Sequence, residues 1–163
     1  MTPVAAVTVL SCNDAVLLIR RPQRLDDPWS GQWALPGGRR DPADADLLAT
    51  ARRELAEEVG VVLDDTGWTP LAVQVAGLHR GLGVPVAPFQ RTLTEPPTLH
   101  PEPREVAETR WLSLAELRDP ARHAHGPVPG GGERPWPFFA LDGTPLWGFT
   151  YRVLTTWLGM TTG

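Results

Sequence analysis

From Ala45 to Val59 the chain places apolar and charged residues at helical spacing, and no other stretch limits the fold as tightly. Leu48, Ala51, Leu55 and Val59 fall on one side of a helix. Asp44 or Asp46 is placed to cap its start, and Gly60 to end it. Glu54, Glu57 and Glu58 stand at i, i+3 and i+4, so they project from a neighbouring face. A helix of this kind must bury its apolar stripe against another layer. That burial turns the acidic face to the edge of a cleft.

The layer to bury it is legible nearby. Val4 to Leu10 and Ala15 to Ile19 read as strands joined by the turn Ser11 to Asp14, a hairpin. Val73 to Leu78, Val84 to Thr92 and Thr109 to Leu112 read as further strands. Trp33 to Leu35 is a short apolar piece. Leu114 to Leu117 reads as a helical turn, and Leu146 to Leu158 as a closing helix. Glu95 to Pro103 and Asp119 to Pro137 read as loops, in keeping with 16 glycines and 18 prolines in 163 residues. There is no internal repeat and no composition break, so residues 1–163 are expected to form one domain.

Charge and cysteine content narrow the function. The formal net charge is −4, which argues against a nucleic-acid binder, since those present a basic face. No apolar run approaches the roughly 20 residues that span a bilayer, so no membrane partner is expected. Cys12 stands alone, so neither an internal disulfide nor a cysteine zinc site is available. A cytoplasmic location is expected, because the start lacks the basic region of a signal peptide. A homodimer is compatible with the sequence.

Three carboxylates on one helical face repel unless something offsets them. A divalent ion does so, and carboxylate oxygens suit hard ions such as Mg²⁺ or Mn²⁺. Gly37 and Gly38 precede the helix, where bare backbone permits close approach of a ligand. A solvated acidic face laced by Arg52 and Arg53 is the alternative for the carboxylates alone.

Gly38, Asp44, then Arg53-Glu54-Leu55-Ala56-Glu57-Glu58-Val59-Gly60-Val61 resembles the signature box of the Nudix hydrolases. Two details differ from the usual box. Asp44 stands in place of Glu, and eight residues separate it from Arg53. Those details, together with Gly31 to Gly38, Val84 to Phe89, Glu105 to Glu108 and Leu146 to Thr150, are most similar to the coenzyme A diphosphatase-like subgroup. The Arg and His that the subgroup carries before the Gly31-Gln32 step are missing; Leu25 to Ser30 stands there.

The resemblance implies an α/β fold, a Nudix-type α/β/α sandwich with a mixed β-sheet between helices. It implies that Glu54, Glu57 and Glu58 ligate Mg²⁺ or Mn²⁺, with Gly38 adding a backbone carbonyl and Arg53 orienting a carboxylate behind them. Glu54, Glu58 and Glu105 are the catalytic candidates, one of them accepting the proton of the attacking water. Arg21, Arg39 and Arg40 are candidates for phosphate oxygens, and Trp29 for stacking on a base. Trp136 and Phe138 share that last role or pack under the loops. His123 and His125 read as exposed loop residues. The implied reaction is attack of water on phosphorus in a nucleoside diphosphate derivative, coenzyme A or a related adenylated compound. Two alternatives stay open: another nucleotide as substrate (a nucleoside triphosphate, ADP-ribose or a dinucleoside polyphosphate), and a Nudix-fold module that binds without catalysis.

Overall fold

The computed structural model describes residues 1–27 and 30–160, with every side chain among them except that of His79. Its centre is strand β1 (Ala5–Cys12), buried along its whole length. β1 turns into β2 (Ala15–Arg20) through Asn13 and Asp14, at φ +50° and +57°. Those values suit a tight hairpin whose twist matches the strands.

On its other edge β1 runs parallel to β7 (Val84–Leu93), in register from Ala5 opposite Val86 to Cys12 opposite Leu93. A parallel pair needs a long crossover. Here the crossover contains β4 (Gly37–Arg39), helix α1 (Leu47–Val59), β5 (Trp68–Pro70) and β6 (Gln74–Ala76). β4 pairs antiparallel with β1, and β5 and β6 with β7. β3 (Trp33–Ala34) and β8 (Glu108–Ser113) pair with β2. A smaller antiparallel sheet joins β9 (His123–Gly126), β10 (Trp136–Phe139) and β11 (Leu146–Trp147). Two further helices are α2 (Leu114–Arg118) and α3 (Gly148–Trp157).

Alternation along the strands builds two cores. Val7, Val9, Val16 and Leu18 pack with Tyr151 and Leu154 of α3. Leu10, Leu17 and Ile19 pack with Leu55 and Val59 of α1. The mixed sheet therefore lies between helices, an α/β/α sandwich as the sequence implied. Cys12 is buried and free. Among the described residues no helix is long and apolar enough to cross a membrane.

Several expected elements shift. α1 starts at Leu47, with Asp46 as its cap. The expected strand Val73–Leu78 is confined to Gln74–Ala76, because Gly77 at φ +76° leads into a 3-10 turn. Asp119–Pro137 is not all loop: His123–Gly126 forms β9 against β10. His123 is also not exposed. Its Nε2–H donates to the Leu117 carbonyl at 2.6 Å, and Nδ1 lies 2.8 Å from the Tyr151 hydroxyl. His125 is exposed, but within the strand. The closing helix starts at Gly148, at φ +70°, since Leu146 and Trp147 pair with Phe139 and Phe138.

Candidate active site

Helix α1 carries the acidic face. Asp46 Oδ1 accepts the Ala49 N–H at 2.8 Å, and Gly60 closes the helix at φ +72°. Leu55 and Val59 are buried beneath it, which fixes Glu54 and Glu58 at the helix edge beside β4. Strand β4 approaches at contact distance. A Cβ on Gly38 would stand 2.6 Å from Glu54 Oε1, and one on Gly37 would stand 2.3 Å from the Ala6 carbonyl oxygen. At Gly37 a side chain would meet backbone, whereas at Gly38 it would push the end of the Glu54 side chain aside. The Gly37 N–H donates to Glu58 Oε1 at 2.7 Å.

Glu105 arrives from a loop that docks on the end of α1. The His100 N–H donates to the Val59 carbonyl at 2.7 Å, and the Glu102 N–H to the Glu58 carbonyl at 2.9 Å. These bonds satisfy carbonyls that a helix end leaves open. Val106, 2% exposed, anchors the loop in the core under α1. Carboxylate oxygens of Glu54, Glu58 and Glu105 consequently lie within 4.8 Å of one another. Glu57 stands apart; its side chain is 51% exposed and paired with Arg53 at 3.2 Å.

Arg53 ties the box together. Its Nε and Nη2 donate to Asp44 Oδ1 and Oδ2, each at 2.9 Å, and Nη1 donates to Glu54 Oε1 at 3.1 Å. Asp44 also accepts from Thr50 Oγ1 at 2.8 Å and from the Asp41 N–H at 2.9 Å. The Arg53 hydrogen bonds, with those from Asp41 and Thr50, hold the Asp44 carboxyl well below the usual carboxylate range. Asp44 is therefore the anchor of Arg53, while Asp46 does the capping.

The cluster is short of positive charge. Burial pushes Glu58 up to about 8; the Gly37 N–H opposes this, and the charges of Glu54 and Glu105 add to it. Burial also raises Glu54, against the pull of Arg53. Three oxygen donors this close together, two of them pushed toward the protonated form, fit a hard divalent cation. Glu54, Glu58 and Glu105 are the side chains that would hold it.

A cavity of about 390 Å³ opens beside this cluster, and Gly37 and Gly38 belong to both. Trp33, Trp136, Trp147 and Phe149 wall it, and Arg21, Arg39 and Arg152 reach it. Arg21 is also paired with Asp27 at 2.9 Å. Arg40 is turned away, donating to the carbonyls of Asp44 and Ala45, and does not line the cavity. Trp29 lies outside the described residues. Arg39, which follows the glycines, was a phosphate candidate of the sequence alongside Arg40, whereas Arg152 escaped the sequence reading. Arg152 sits in an otherwise apolar and hydroxylic helix, and that contrast was its only signal.

A family model of the NUDIX domain matches residues 1–129. The chain belongs to the Nudix hydrolase family. The mitochondrial coenzyme A diphosphatase of Homo sapiens is 32% identical over 152 residues, which cover 90% of this chain and 64% of that one. The chain thus spans somewhat less than two thirds of that relative. A Nudix hydrolase, NudL, of Photorhabdus laumondii is 31% identical over 85% of this chain and 73% of its own length. In fold, the chain resembles a crystal structure of a MutT/nudix family protein from Enterococcus faecalis, with a TM-score of 0.67 at 20% identity. That match covers 94% of this chain and 60% of the other.

Proposed function

We propose that this Nudix domain hydrolyses the diphosphate linkage of a nucleoside diphosphate derivative, with coenzyme A or a related adenylated compound as substrate. The observation that carries the reading is the convergence of Glu54, Glu58 and Glu105 against Gly37 and Gly38, which line a cavity walled by tryptophans and arginines. A bound Mg²⁺ or Mn²⁺ lowers the pKa of coordinated water and offsets phosphate charge.

The chain's own residues do the positioning. Gly37 holds one oxygen of Glu58, and Arg53 holds one oxygen of Glu54. Glu105 sits on an exposed loop at the same point, where it accepts the proton of the attacking water. Arg21, just after β2, and Arg39, at the end of β4, line the cavity and meet the phosphate oxygens. Glu57, tied to Arg53 and open to solvent, supports the cluster from outside.

Two features favour coenzyme A within this class. The human relative is named for that substrate. Asp27, in the segment that replaces the subgroup's Arg and His, is paired with Arg21 and does not line the cavity, so its charge does not face an anionic ligand there.

The test is a turnover assay with Mg²⁺ and with Mn²⁺ on coenzyme A, 3′-dephospho-coenzyme A, ADP-ribose and a nucleoside triphosphate. Labelled water identifies the phosphorus attacked. Two phosphomonoester products from coenzyme A are expected. Folded, metal-loaded protein that cleaves none of the four would overturn the proposal.

A further inference from the structure

Arg152 is an oddly placed charge. It projects from α3 into the cavity and is partly buried. Its guanidinium has five N–H donors, yet among the described residues it makes a single hydrogen bond, from Nη2 to the Val75 carbonyl at 2.5 Å. Among the described residues no carboxylate pairs with it. Burial lowers its pKa, the mark of a cation held where water is scarce. A charge in that state is unfavourable until an anion arrives. None of the described residues lining the cavity is acidic.

The sheet register gives its place relative to the carboxylates. Arg39 pairs with Ala5, Ala5 with Val86, and Val86 with Gln74, one row across β4, β1, β7 and β6. Three strand spacings make that row roughly 14 Å long. Arg39 ends it next to Gly38 and the carboxylate cluster. Gln74 ends it below α3, where its Nε2 donates to the Arg152 carbonyl at 3.4 Å. Between the two ends the cavity is apolar and aromatic, a surface suited to a base or sugar face.

We propose that Arg152 is a specificity-determining residue that holds a second phosphate, a phosphomonoester on the ribose of the nucleotide whose diphosphate lies at Glu54, Glu58 and Glu105. The inference rests on the proposed function for the placement of the diphosphate. A guanidinium suits this task because its planar fork matches phosphate oxygens. The phosphate is at the 2′ or the 3′ position; both offer the same chemistry.

The test measures binding in metal-free buffer, so it does not depend on turnover. Calorimetry compares adenosine 5′-monophosphate, adenosine 2′,5′-bisphosphate and adenosine 3′,5′-bisphosphate on wild type, Arg152→Gln and Arg152→Lys. One of the two bisphosphates should bind wild type about tenfold tighter than the monophosphate, the scale of one charge-assisted contact. Arg152→Gln should erase that preference and leave the monophosphate unchanged, while Arg152→Lys keeps part of it. The ligand-free Arg152→Gln protein should melt no lower than wild type, because an unpaired cation has been removed. Equal binding of all three ligands to wild type, or a uniform loss with a lowered melting temperature in Arg152→Gln, would overturn the proposal. A protein that cleaves none of the four substrates yet shows the bisphosphate preference would sink the proposed reaction and keep Arg152 in this role.

Discussion

The backbone N–H of Gly37 donates to Oε1 of Glu58 at 2.7 Å, which fixes one carboxylate oxygen against strand β4. The other oxygen is left for the shared site with Glu54 and Glu105. Replacing Glu58 by Gln keeps the shape and removes the charge. Turnover of Glu58→Gln should fall by about a hundredfold or more, within the range for loss of a metal-site group. Far-ultraviolet circular dichroism should be unchanged. Undiminished turnover would dismiss Glu58 from the site.

The same carboxylate predicts how stability follows pH in the metal-free protein. Glu58 ionises near 4.5 when unfolded and is held up to about 8 in the fold. The folded state thus binds the proton more tightly across that window. Its stabilising contribution is complete below about pH 4.5 and is lost as pH rises through 8, at up to about 1.4 kcal/mol per pH unit. The melting temperature of wild type minus that of Glu58→Gln should therefore drop between pH 5 and pH 8.5. Adding Mg²⁺ should reverse the drop, because the ion binds the ionised form. A flat difference across the window would show that Glu58 is not held protonated.

Gly38 offers a test that separates the site from the fold. A methyl group there would meet only the end of the Glu54 side chain, at 2.6 Å from Oε1. That end can swing aside, so Gly38→Ala should fold. It should nevertheless displace Glu54 from the cluster and cost at least about tenfold in kcat/KM, since small displacements at a reacting centre are expensive. Gly37→Ala meets backbone, the Ala6 carbonyl and the Val7 Cα, and should lower the melting temperature as well. Full activity in Gly38→Ala would show that the contact is dispensable.

The helix and its acidic face were readable because the signal is local: residues three and four apart share a side, and caps mark the ends. The hairpin at Asn13 and Asp14 was readable for the same reason. What brings Glu105 to Glu58 was not readable from local spacing; only the family resemblance put it near the metals. Its loop is held through backbone bonds from His100 and Glu102 to the end of α1, and any residue but proline can supply those donors. β5 was hidden because Trp68–Pro70 is short and contains a proline, tolerated where a strand sits at an edge. β9 was hidden because His-Ala-His-Gly lacks the β-branched pattern of a strand and depends on β10 for its place. Arg152 was hidden inside a closing helix read for its apolar residues.

Arg53 and Asp44 provide the last test, of a positioning role. Asp44 is buried, with 6% of its side chain exposed, and both of its oxygens accept from the Arg53 fork. The remaining Nη1 reaches Glu54 and Glu57. A lysine carries one compact ammonium and cannot serve Asp44 and Glu54 together. Arg53→Lys should therefore leave Glu54 loosely held, weakening the apparent affinity for Mg²⁺ by about 10–100-fold. Asp44→Asn should act in the same direction, because it frees the fork from its anchor. The two residues share one network, so the double variant should lose less than the product of the single losses. Turnover measured against Mg²⁺ concentration reads this directly. A rightward shift of the metal dependence, with turnover partly recovered at saturating metal, marks Arg53 as the residue that holds Glu54 in place. An unshifted metal dependence with lowered turnover at every concentration would instead put Arg53 in contact with the substrate.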